Sequence, residues 1–263
     1  MDVIIFSGQS NMQGESEMLL PAYEIKGAFE YKFLSDSIVP LSDPVGENIT
    51  FDLREGWDYA TKKDGWHDCN ALGSSYAGNS SLLPSFCEVY AEKTGRDVLA
   101  IHSARGSTMI DQWMPESKVY KVLVTKAKAG IKKASEHGNV DRIFLIWLQG
   151  ESDAIFKKKK DTYKEMASVL AKSLKNDLGI EKVGVIRVGH FTNDERDDEI
   201  IEAQSEICRE NSDFLMLTEI TTELNKQPEY MNPNVAGHFS AKGLQKLGYE
   251  AGKTLAEYVV SHG

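Results

Sequence analysis

The amino-acid sequence predicts an α/β fold with a mostly parallel five-stranded sheet and helices on both faces. Short apolar runs rich in Val, Ile, Leu and Phe recur along the 263 residues, which is typical of strands that are covered on both sides. Segments with three-to-four spacing of apolar residues lie between these runs, and several end at a glycine, a common stop for a helix. Strands that alternate with helices require crossover connections, and these place helices on both faces of the sheet.

Five runs are predicted as strands: Val3–Phe6, Val98–His102, Arg142–Leu148, Val183–Val188 and Phe214–Leu217. Five segments are predicted as helices: about Leu82–Lys93, Lys118–His137, Lys158–Leu178, Glu195–Glu210, and the residues that follow Ser240. Ser240 is expected to cap the last of these helices through its hydroxyl group.

Residues 15–80 interrupt this alternation. They are rich in Pro, Gly, Asn and Asp and contain clusters of aromatic residues. We expect an elaborated loop region, which could include short strands, that lies over the strand ends, because a long segment without clear elements is often functional. The alternative is an irregular covering of the sheet edge. The chain has no repeat of 20–50 residues and no clear linker. A single domain over residues 1–263 is therefore predicted.

Composition and charge exclude several classes of protein. The net charge is −10, so the broad basic footprint of a nucleic-acid-binding protein is missing. No run approaches the ~20 apolar residues of a membrane span. The three cysteines form no CxxC pair, and the first residues lack the basic flank of a signal peptide. A cytoplasmic protein is expected, or a secreted one if a leader was removed, and the oligomeric state is not indicated.

A serine follows the first predicted strand, in the segment Ser7-Gly8-Gln9-Ser10-Asn11-Met12-Gln13-Gly14. Ligands bind beyond the carboxyl ends of the strands in an open parallel sheet. Ser10 on a glycine-flanked turn is thus well placed as a nucleophile, with backbone N–H groups beside it. The alternative is that Ser10 only caps the next helix.

Polar residues also follow the second and third predicted strands, as Arg105-Gly106-Ser107-Thr108 and Gln149-Gly150-Glu151-Ser152-Asp153. His238 lies in a loop of small residues immediately before the last helix. The sequence contains no HExxH motif, no GxxxxGK[ST] motif and no GxGxxG motif, so neither a metal nor a nucleotide cofactor is predicted.

Taken together and in this order, these segments resemble the SGNH hydrolase superfamily, and more narrowly its sialate O-acetylesterase and acetylxylan esterase branch (carbohydrate esterase family 6). The matching blocks are Gly8–Met12, Ala104–Thr108 with Ile110 and Trp113, Trp147–Asp153, and His238–Ser240 with Gly243. The resemblance implies a three-layer, flavodoxin-like fold and a serine carboxylic ester hydrolase that needs no cofactor. In that chemistry a serine forms an acetyl-enzyme intermediate.

The resemblance assigns Ser10 as the nucleophile and His238 as the base. The superfamily's usual acid stands three residues before the histidine, where this chain has Val235. An imidazole that accepts a proton needs a partner on its other nitrogen. Glu151 is predicted as that partner, with Asp153 second and Asn234 third. The backbone N–H groups of Ser10 and Gly106 and the side-chain amide of Gln149 are predicted to form the oxyanion hole.

Asn11, Arg105, Trp113 and Asp153 are predicted to contact the substrate. Trp57, Tyr59, Trp66 and Trp113 are expected either to form a sugar platform or simply to pack. The expected substrate is an acetylated carbohydrate, favoured as neutral acetylated xylan or a related oligosaccharide because the chain is acidic. A sialate O-acetylesterase, a carbohydrate-binding pseudoenzyme of the same fold, and a flavodoxin-like binding domain with coincidental motifs are the alternatives.

Overall fold

The computed structural model describes residues 1–46, 49–50, 60–61 and 79–263. Its strands are β1 (Asp2–Gly8), β2 (Ala28–Lys32), β3 (Ser37–Pro40), β4 (Ile49–Thr50), β5 (Ala60–Thr61), β6 (Val98–Ala104), β7 (Ile143–Leu148), β8 (Lys182–Ile186) and β9 (Phe214–Thr218). Its α-helices are α1 (Ser10–Gln13), α2 (Leu83–Thr94), α3 (Lys118–His137), α4 (Glu151–Ile155), α5 (Lys160–Leu178), α6 (Arg196–Glu210), α7 (Thr221–Leu224) and α8 (Ala241–His262). Short 3₁₀ turns span Ile110–Trp113 and Pro228–Tyr230.

The predicted α/β fold is confirmed, and the sheet is larger than expected. Within the described ranges the main sheet has seven strands, in the order β3-β2-β6-β1-β7-β8-β9. All neighbouring strands are parallel except β3, which runs antiparallel to β2. The five predicted strands form the contiguous part β6-β1-β7-β8-β9. That part has the flavodoxin-like strand order 2-1-3-4-5.

The two additional strands come from the region that the sequence analysis assigns to an elaborated loop. β2 alternates apolar with charged residues, and Glu30 in its centre is buried between the Lys32 ammonium at 2.7 Å and the Gly46 N–H at 2.7 Å. β3 is an edge strand that ends at the exposed Pro40. Proline and charged residues are typical of sheet edges. These strands therefore lack the continuous apolar run that identified the others.

The helices cover the two faces of the sheet. Helix α2 is the last element of the connection from β1 to β6, and α3 connects β6 back across β1 to β7. The two crossovers run in opposite directions across the sheet, so right-handed connections place α2 and α3 on opposite faces. α2 packs against α8, whereas α5 contacts both α3 and α6. The central strand β1 is buried along its whole length. None of the helices in the described part of the chain is long and apolar enough to cross a membrane.

The chain reverses its direction across the sheet at β1, whose neighbours are β6 and β7. At such a switch point the loops after adjacent strands diverge and leave a crevice at the carboxyl edge of the sheet. The loops that follow β1, β6 and β7 all begin at this edge. They carry the serine, glycine and acidic blocks of the sequence.

Candidate active site

The turn that carries Ser10 depends on a glycine. Gly8 ends β1 with a φ of +150°, and a Cβ atom at this position would lie 2.0 Å from the carbonyl oxygen of Leu148 at the end of β7. The same carbonyl accepts the N–H of Gln9 at 3.0 Å. Only glycine allows this close approach of two backbones. Ser10 then begins the single turn of α1, which ends at Gly14 in the left-handed region.

Ser10 and His238 are in contact at the centre of the crevice. The Oγ atom of Ser10 lies 2.8 Å from the Nε2 atom of His238, which is hydrogen-bond distance. Both residues are nearly buried, with 5% and 7% of their surfaces exposed. The structure therefore brings together two residues that stand 228 positions apart in the chain. This is the pairing that the sequence analysis predicts.

The other ring nitrogen of His238 faces a backbone carbonyl. Nδ1 lies 3.0 Å from the carbonyl oxygen of Ala236. Because a carbonyl oxygen only accepts hydrogen bonds, this contact assigns the proton of the neutral imidazole to Nδ1. Nε2 then carries the lone pair and accepts the hydroxyl proton of Ser10. The ring has the tautomer that a general base requires, although none of the carboxylates in the described ranges contacts Nδ1.

Glu151 does not make the predicted direct contact with His238. Its Oε1 atom instead accepts a hydrogen bond from the Asn11 side-chain amide at 2.9 Å, and Asn11 in turn accepts the N–H of Phe239 at 3.1 Å. The carboxylate thus reaches the histidine loop through Asn11. Burial raises the pKa of Glu151, while the Asn11 hydrogen bond and the nearby His238 lower it.

The second and third candidates for an orienting group also lie elsewhere. Asp153 is fully buried and accepts the N–H of Ile110 at 3.0 Å and the Gln149 amide at 2.5 Å. Burial raises the pKa of Asp153. The backbone N–H of Asn234 donates to Asn232 at 2.8 Å. Neither side chain is a hydrogen-bond partner of His238 in the described part of the chain.

Two of the three predicted oxyanion donors lie beside Ser10. The Ser10 N–H opens α1 and has no acceptor within that helix. A Cβ atom at Gly106 would lie 3.6 Å from Ser10 Cβ, so the Gly106 backbone borders the nucleophile. Its N–H donates to the Gln13 side-chain oxygen at 2.7 Å. A substrate carbonyl must therefore displace Gln13 to reach this donor.

Gln149, the third predicted donor, points into the protein. Its Nε2 atom donates to the Thr108 carbonyl at 2.8 Å and to Asp153 at 2.5 Å, and its Oε1 atom accepts from the Tyr163 hydroxyl at 3.2 Å. The side chain is completely buried. Gln149 therefore joins the loops after β6 and β7, and its amide does not face Ser10.

The predicted substrate-contacting residues are mostly structural. Trp113 is 1% exposed, donates its indole N–H to Thr108 at 2.9 Å and packs edge-on against Trp147. Asn11, Arg105 and Asp153 are buried as well, so none of the four offers an open surface to a sugar. The predicted aromatic residues Trp57, Tyr59 and Trp66 lie outside the described residues.

Sequence reasoning missed four residues that build the site. Gln9 accepts the backbone N–H groups of Gly150 and Ser152 at 3.3 Å. Asn232 donates its N–H to the His238 carbonyl at 2.8 Å and its side-chain amide to the Glu15 carbonyl at 3.1 Å. Gln13 covers the Gly106 N–H, and the Glu15 carboxylate lies near His238. Gln9, Gln13 and Glu15 stand next to the predicted nucleophile in the sequence, which was the available signal.

The described residues contain no group of three or more His, Cys, Asp or Glu side chains that could hold a metal ion. Ser10 and His238 form a hydroxyl–imidazole pair with backbone N–H groups beside it, at the carboxyl edge of a parallel sheet. This combination is suited to acyl transfer.

Comparison with protein families supports that class of protein. Residues 1–258 match the family model described as "Carbohydrate esterase, sialic acid-specific acetylesterase". The chain belongs to this family of carbohydrate acetylesterases. It is also 25% identical to a probable carbohydrate esterase of Arabidopsis thaliana, At4g34215. The alignment spans 203 residues, which are 77% of this chain and 74% of that protein.

Solved structures show the same fold. The Arabidopsis thaliana protein AT4G34215 aligns over 99% of this chain and 98% of its own, with a TM-score of 0.60 and 16% identity. NanS aligns over 99% of this chain and 97% of its own, with a TM-score of 0.63 and 11% identity. At these identities the similarity concerns the fold.

Proposed function

We propose that this protein removes acetyl groups from acetylated carbohydrates through an acetyl-enzyme intermediate on Ser10. The observation that carries the proposal is the 2.8 Å contact between Ser10 Oγ and His238 Nε2, with Nδ1 of the same ring on the Ala236 carbonyl. Membership of a carbohydrate esterase family supports a substrate in which the acetyl group is joined to a sugar through an ester bond. The serine mechanism and the identity of the sugar are the parts that go beyond the family.

In the first half of the reaction, Ser10 Oγ attacks the acetyl carbonyl carbon while its proton moves to His238 Nε2. The resulting oxyanion accepts hydrogen bonds from the backbone N–H groups of Ser10 and Gly106. The Gln13 side chain first moves away from the Gly106 N–H to free this donor. Losing one donor of this kind typically costs ~3–4 kcal/mol of barrier. His238 then gives its proton to the departing sugar oxygen as the bond between that oxygen and the acetyl carbon breaks.

In the second half, water attacks the acetyl-enzyme while His238 accepts one of its protons. Collapse of the second tetrahedral intermediate breaks the bond to Ser10, which regains the proton from His238, and acetate leaves. Asn11 and Glu151 hold the histidine loop in place during both halves. We place Glu151 in this positioning role, without direct contact with the imidazole.

The preferred substrate in this proposal is a neutral acetylated oligosaccharide such as acetylated xylan. The net charge of −10 and the carboxylates of Glu15 and Glu151 beside the site both repel an anionic sugar. The alternative is an O-acetylated sialic acid, which the description of the matched family favours. The sialic acid carries a carboxylate and the xylan does not, so direct comparison of their rates separates the two alternatives.

The test measures acetate release from 4-nitrophenyl acetate, acetylated xylo-oligosaccharides and O-acetylated sialic acid. Ser10→Ala should lower kcat at least ~10³-fold, because it removes the nucleophile. Ser135→Ala, which changes a serine on the exposed side of α3, is the matched control and should keep the wild-type rate. Equal, near-background rates in wild type and Ser10→Ala would contradict the proposal and favour the carbohydrate-binding pseudoenzyme.

A further inference from the structure

A second carboxylate lies in the crevice, and the chemistry described so far does not use it. Glu15 directly follows Gly14 at the end of α1 and is 7% exposed. Its Oε2 atom lies 3.5 Å from His238 Nε2. A Cβ atom at Gly106 would lie 3.3 Å from Glu15 Oε1. The carboxylate thus extends from the edge of the oxyanion site to the catalytic base.

The backbone holds Glu15 in this place on both sides. Its N–H donates to the Ser10 carbonyl at 3.3 Å, which fixes it relative to the nucleophile. Its own carbonyl accepts the Asn232 side-chain amide at 3.1 Å, and Asn232 is bonded to the His238 carbonyl. One asparagine therefore ties Glu15 and His238 to each other. The backbone of Glu15 is thus anchored to both Ser10 and the histidine loop.

A negative charge near His238 would stabilise the cation that forms during the proposed reaction. His238 becomes an imidazolium when it takes the proton of Ser10, and in a serine triad a carboxylate on Nδ1 stabilises that cation. Here Nδ1 faces the Ala236 carbonyl, which sets the tautomer but carries only a partial charge. The usual position of the acid is occupied by Val235.

We propose that Glu15 supplies the missing charge from the opposite side of the ring and stabilises the His238 imidazolium at Nε2 during acyl transfer. The distances of Ser10 and Glu15 from His238 Nε2 indicate a different role for each residue. Ser10 Oγ at 2.8 Å holds the hydrogen bond, while Glu15 at 3.5 Å acts through its charge. The Nε2 proton therefore remains available to the leaving sugar oxygen. Glu15 is a positioning residue that acts through His238, and this role rests on the proposed esterase function.

Glu15 has two acidic competitors around His238. Glu151 of α4 is fully buried, but its hydrogen-bonding oxygen is directed to Asn11. Glu17 accepts the Ala241 N–H at 2.8 Å at the start of α8, three residues beyond the histidine. Phe191 also packs edge-on against the ring, at 5.4 Å between ring centres, and carries no charge. Of these three acids, Glu15 is the one with a carboxylate oxygen within ion-pair distance of the ring, and the contact becomes an ion pair when His238 takes up a proton.

The first measurement is an NMR titration of the His238 ring, assigned by its loss in His238→Gln. Glu15→Gln should move the midpoint of this titration to lower pH, because an opposite charge at this distance favours the imidazolium. Glu17→Gln is the matched control and should leave the midpoint in place. Glu151→Gln should move it less than Glu15→Gln does.

The second measurement is the pH profile of kcat/KM with 4-nitrophenyl acetate. Its acid limb reports the free base, so it should move to lower pH with the NMR midpoint in Glu15→Gln. The plateau of kcat should fall about tenfold, which corresponds to ~1.36 kcal/mol of lost stabilisation of the imidazolium. A purely steric role for Glu15 would change the plateau and leave the limb in place.

An unchanged His238 midpoint in folded Glu15→Gln would overturn the proposal, as would a larger displacement in Glu151→Gln. If Glu15→Gln does not fold, Glu15→Asp decides, because it keeps the charge but withdraws it by one methylene. A lower midpoint then supports the proposal and an unchanged one rejects it. The titration needs no turnover, so it stays informative if Ser10→Ala shows that the esterase function itself is wrong.

Discussion

The Asn11 side chain links the Glu151 carboxylate, 2.9 Å from its amide nitrogen, to the backbone N–H of Phe239, 3.1 Å from its amide oxygen. One buried side chain thus connects the helix after β7 with the residue after His238. The acidic residue of the third sequence block acts on the histidine loop as a whole, and the imidazole itself is oriented by the Ala236 carbonyl.

This arrangement predicts a small effect for Glu151→Gln. Glutamine keeps an oxygen that accepts the Asn11 amide, so kcat should stay within about tenfold of wild type. Asn11→Ala should lower kcat further and destabilise the fold by about 1–3 kcal/mol, because it leaves two buried partners unsatisfied. Steady-state kinetics with 4-nitrophenyl acetate and urea unfolding measure both. A loss of ~10⁴-fold in Glu151→Gln would instead indicate a triad acid in direct contact with His238.

The variant Gln149→Ala tests whether this residue has a structural or a catalytic role. Its amide is saturated by Thr108 and Asp153 inside the protein, so Gln149→Ala should reduce the free energy of unfolding by about 2–4 kcal/mol. In the folded variant, kcat should remain within about tenfold of wild type. Removing a true oxyanion donor costs ~10²–10³-fold. A loss of that size without a change in stability would place Gln149 in the oxyanion hole after all.

The sequence was sufficient to predict the five central strands, the main helices and the pairing of Ser10 with His238. These features depend on apolar runs, helical spacing and the order of the blocks along the chain. It did not predict β2, whose buried Glu30 depends on Lys32 and the Gly46 backbone. It also did not predict that a backbone carbonyl replaces the acid, since any residue type at position 236 carries a carbonyl.

The sequence also did not predict the directions in which several side chains point. Glu151, Gln149 and Trp113 all follow strand ends at the correct edge of the sheet, and sequence position alone places them at the site. Each is directed inward by partners from distant segments, such as Asn11 for Glu151. Gln13 and Glu15 lie near Ser10 because α1 has only one turn and the chain reverses its direction at Gly14. Local patterns do not encode such choices, because they depend on tertiary contacts.

Gly8 provides a test of the close approach between β1 and β7. A Cβ atom there would lie 2.0 Å from the Leu148 carbonyl oxygen, so Gly8→Ala must separate the two central strands. We expect a loss of more than about 3 kcal/mol in the free energy of unfolding, or no soluble protein. Gly95→Ala is the control: this residue also has a positive φ, but a Cβ atom has nothing within 4 Å. It should cost about 1 kcal/mol, and equal costs at both positions would contradict the steric argument.

Asp43 predicts how stability changes with pH. Its carboxylate accepts the Ser81 N–H at 3.0 Å and the Ser81 hydroxyl at 2.6 Å, just before α2 begins. Burial raises the pKa of Asp43 to about 6, against the pull of these hydrogen bonds. An unfolded aspartate titrates near ~3.9, so the folded protein binds more protons between about pH 4 and pH 6. The stability contributed by protonated Asp43 is therefore complete below pH 4 and lost as the pH rises through 6.

Asp43→Asn removes this titration. The free energy of unfolding of the variant, minus that of wild type, should increase by about 1–3 kcal/mol between pH 4 and pH 7 and be constant above that. Urea unfolding at pH 4, 5, 6 and 7 measures the difference, and any constant offset from altered contacts with Ser81 cancels in the slope. Glu92→Gln, which removes an exposed carboxylate from α2, controls for the change in net charge. A difference that is flat with pH, or that falls as the pH rises, would show that Asp43 is already ionised throughout this range in the folded protein.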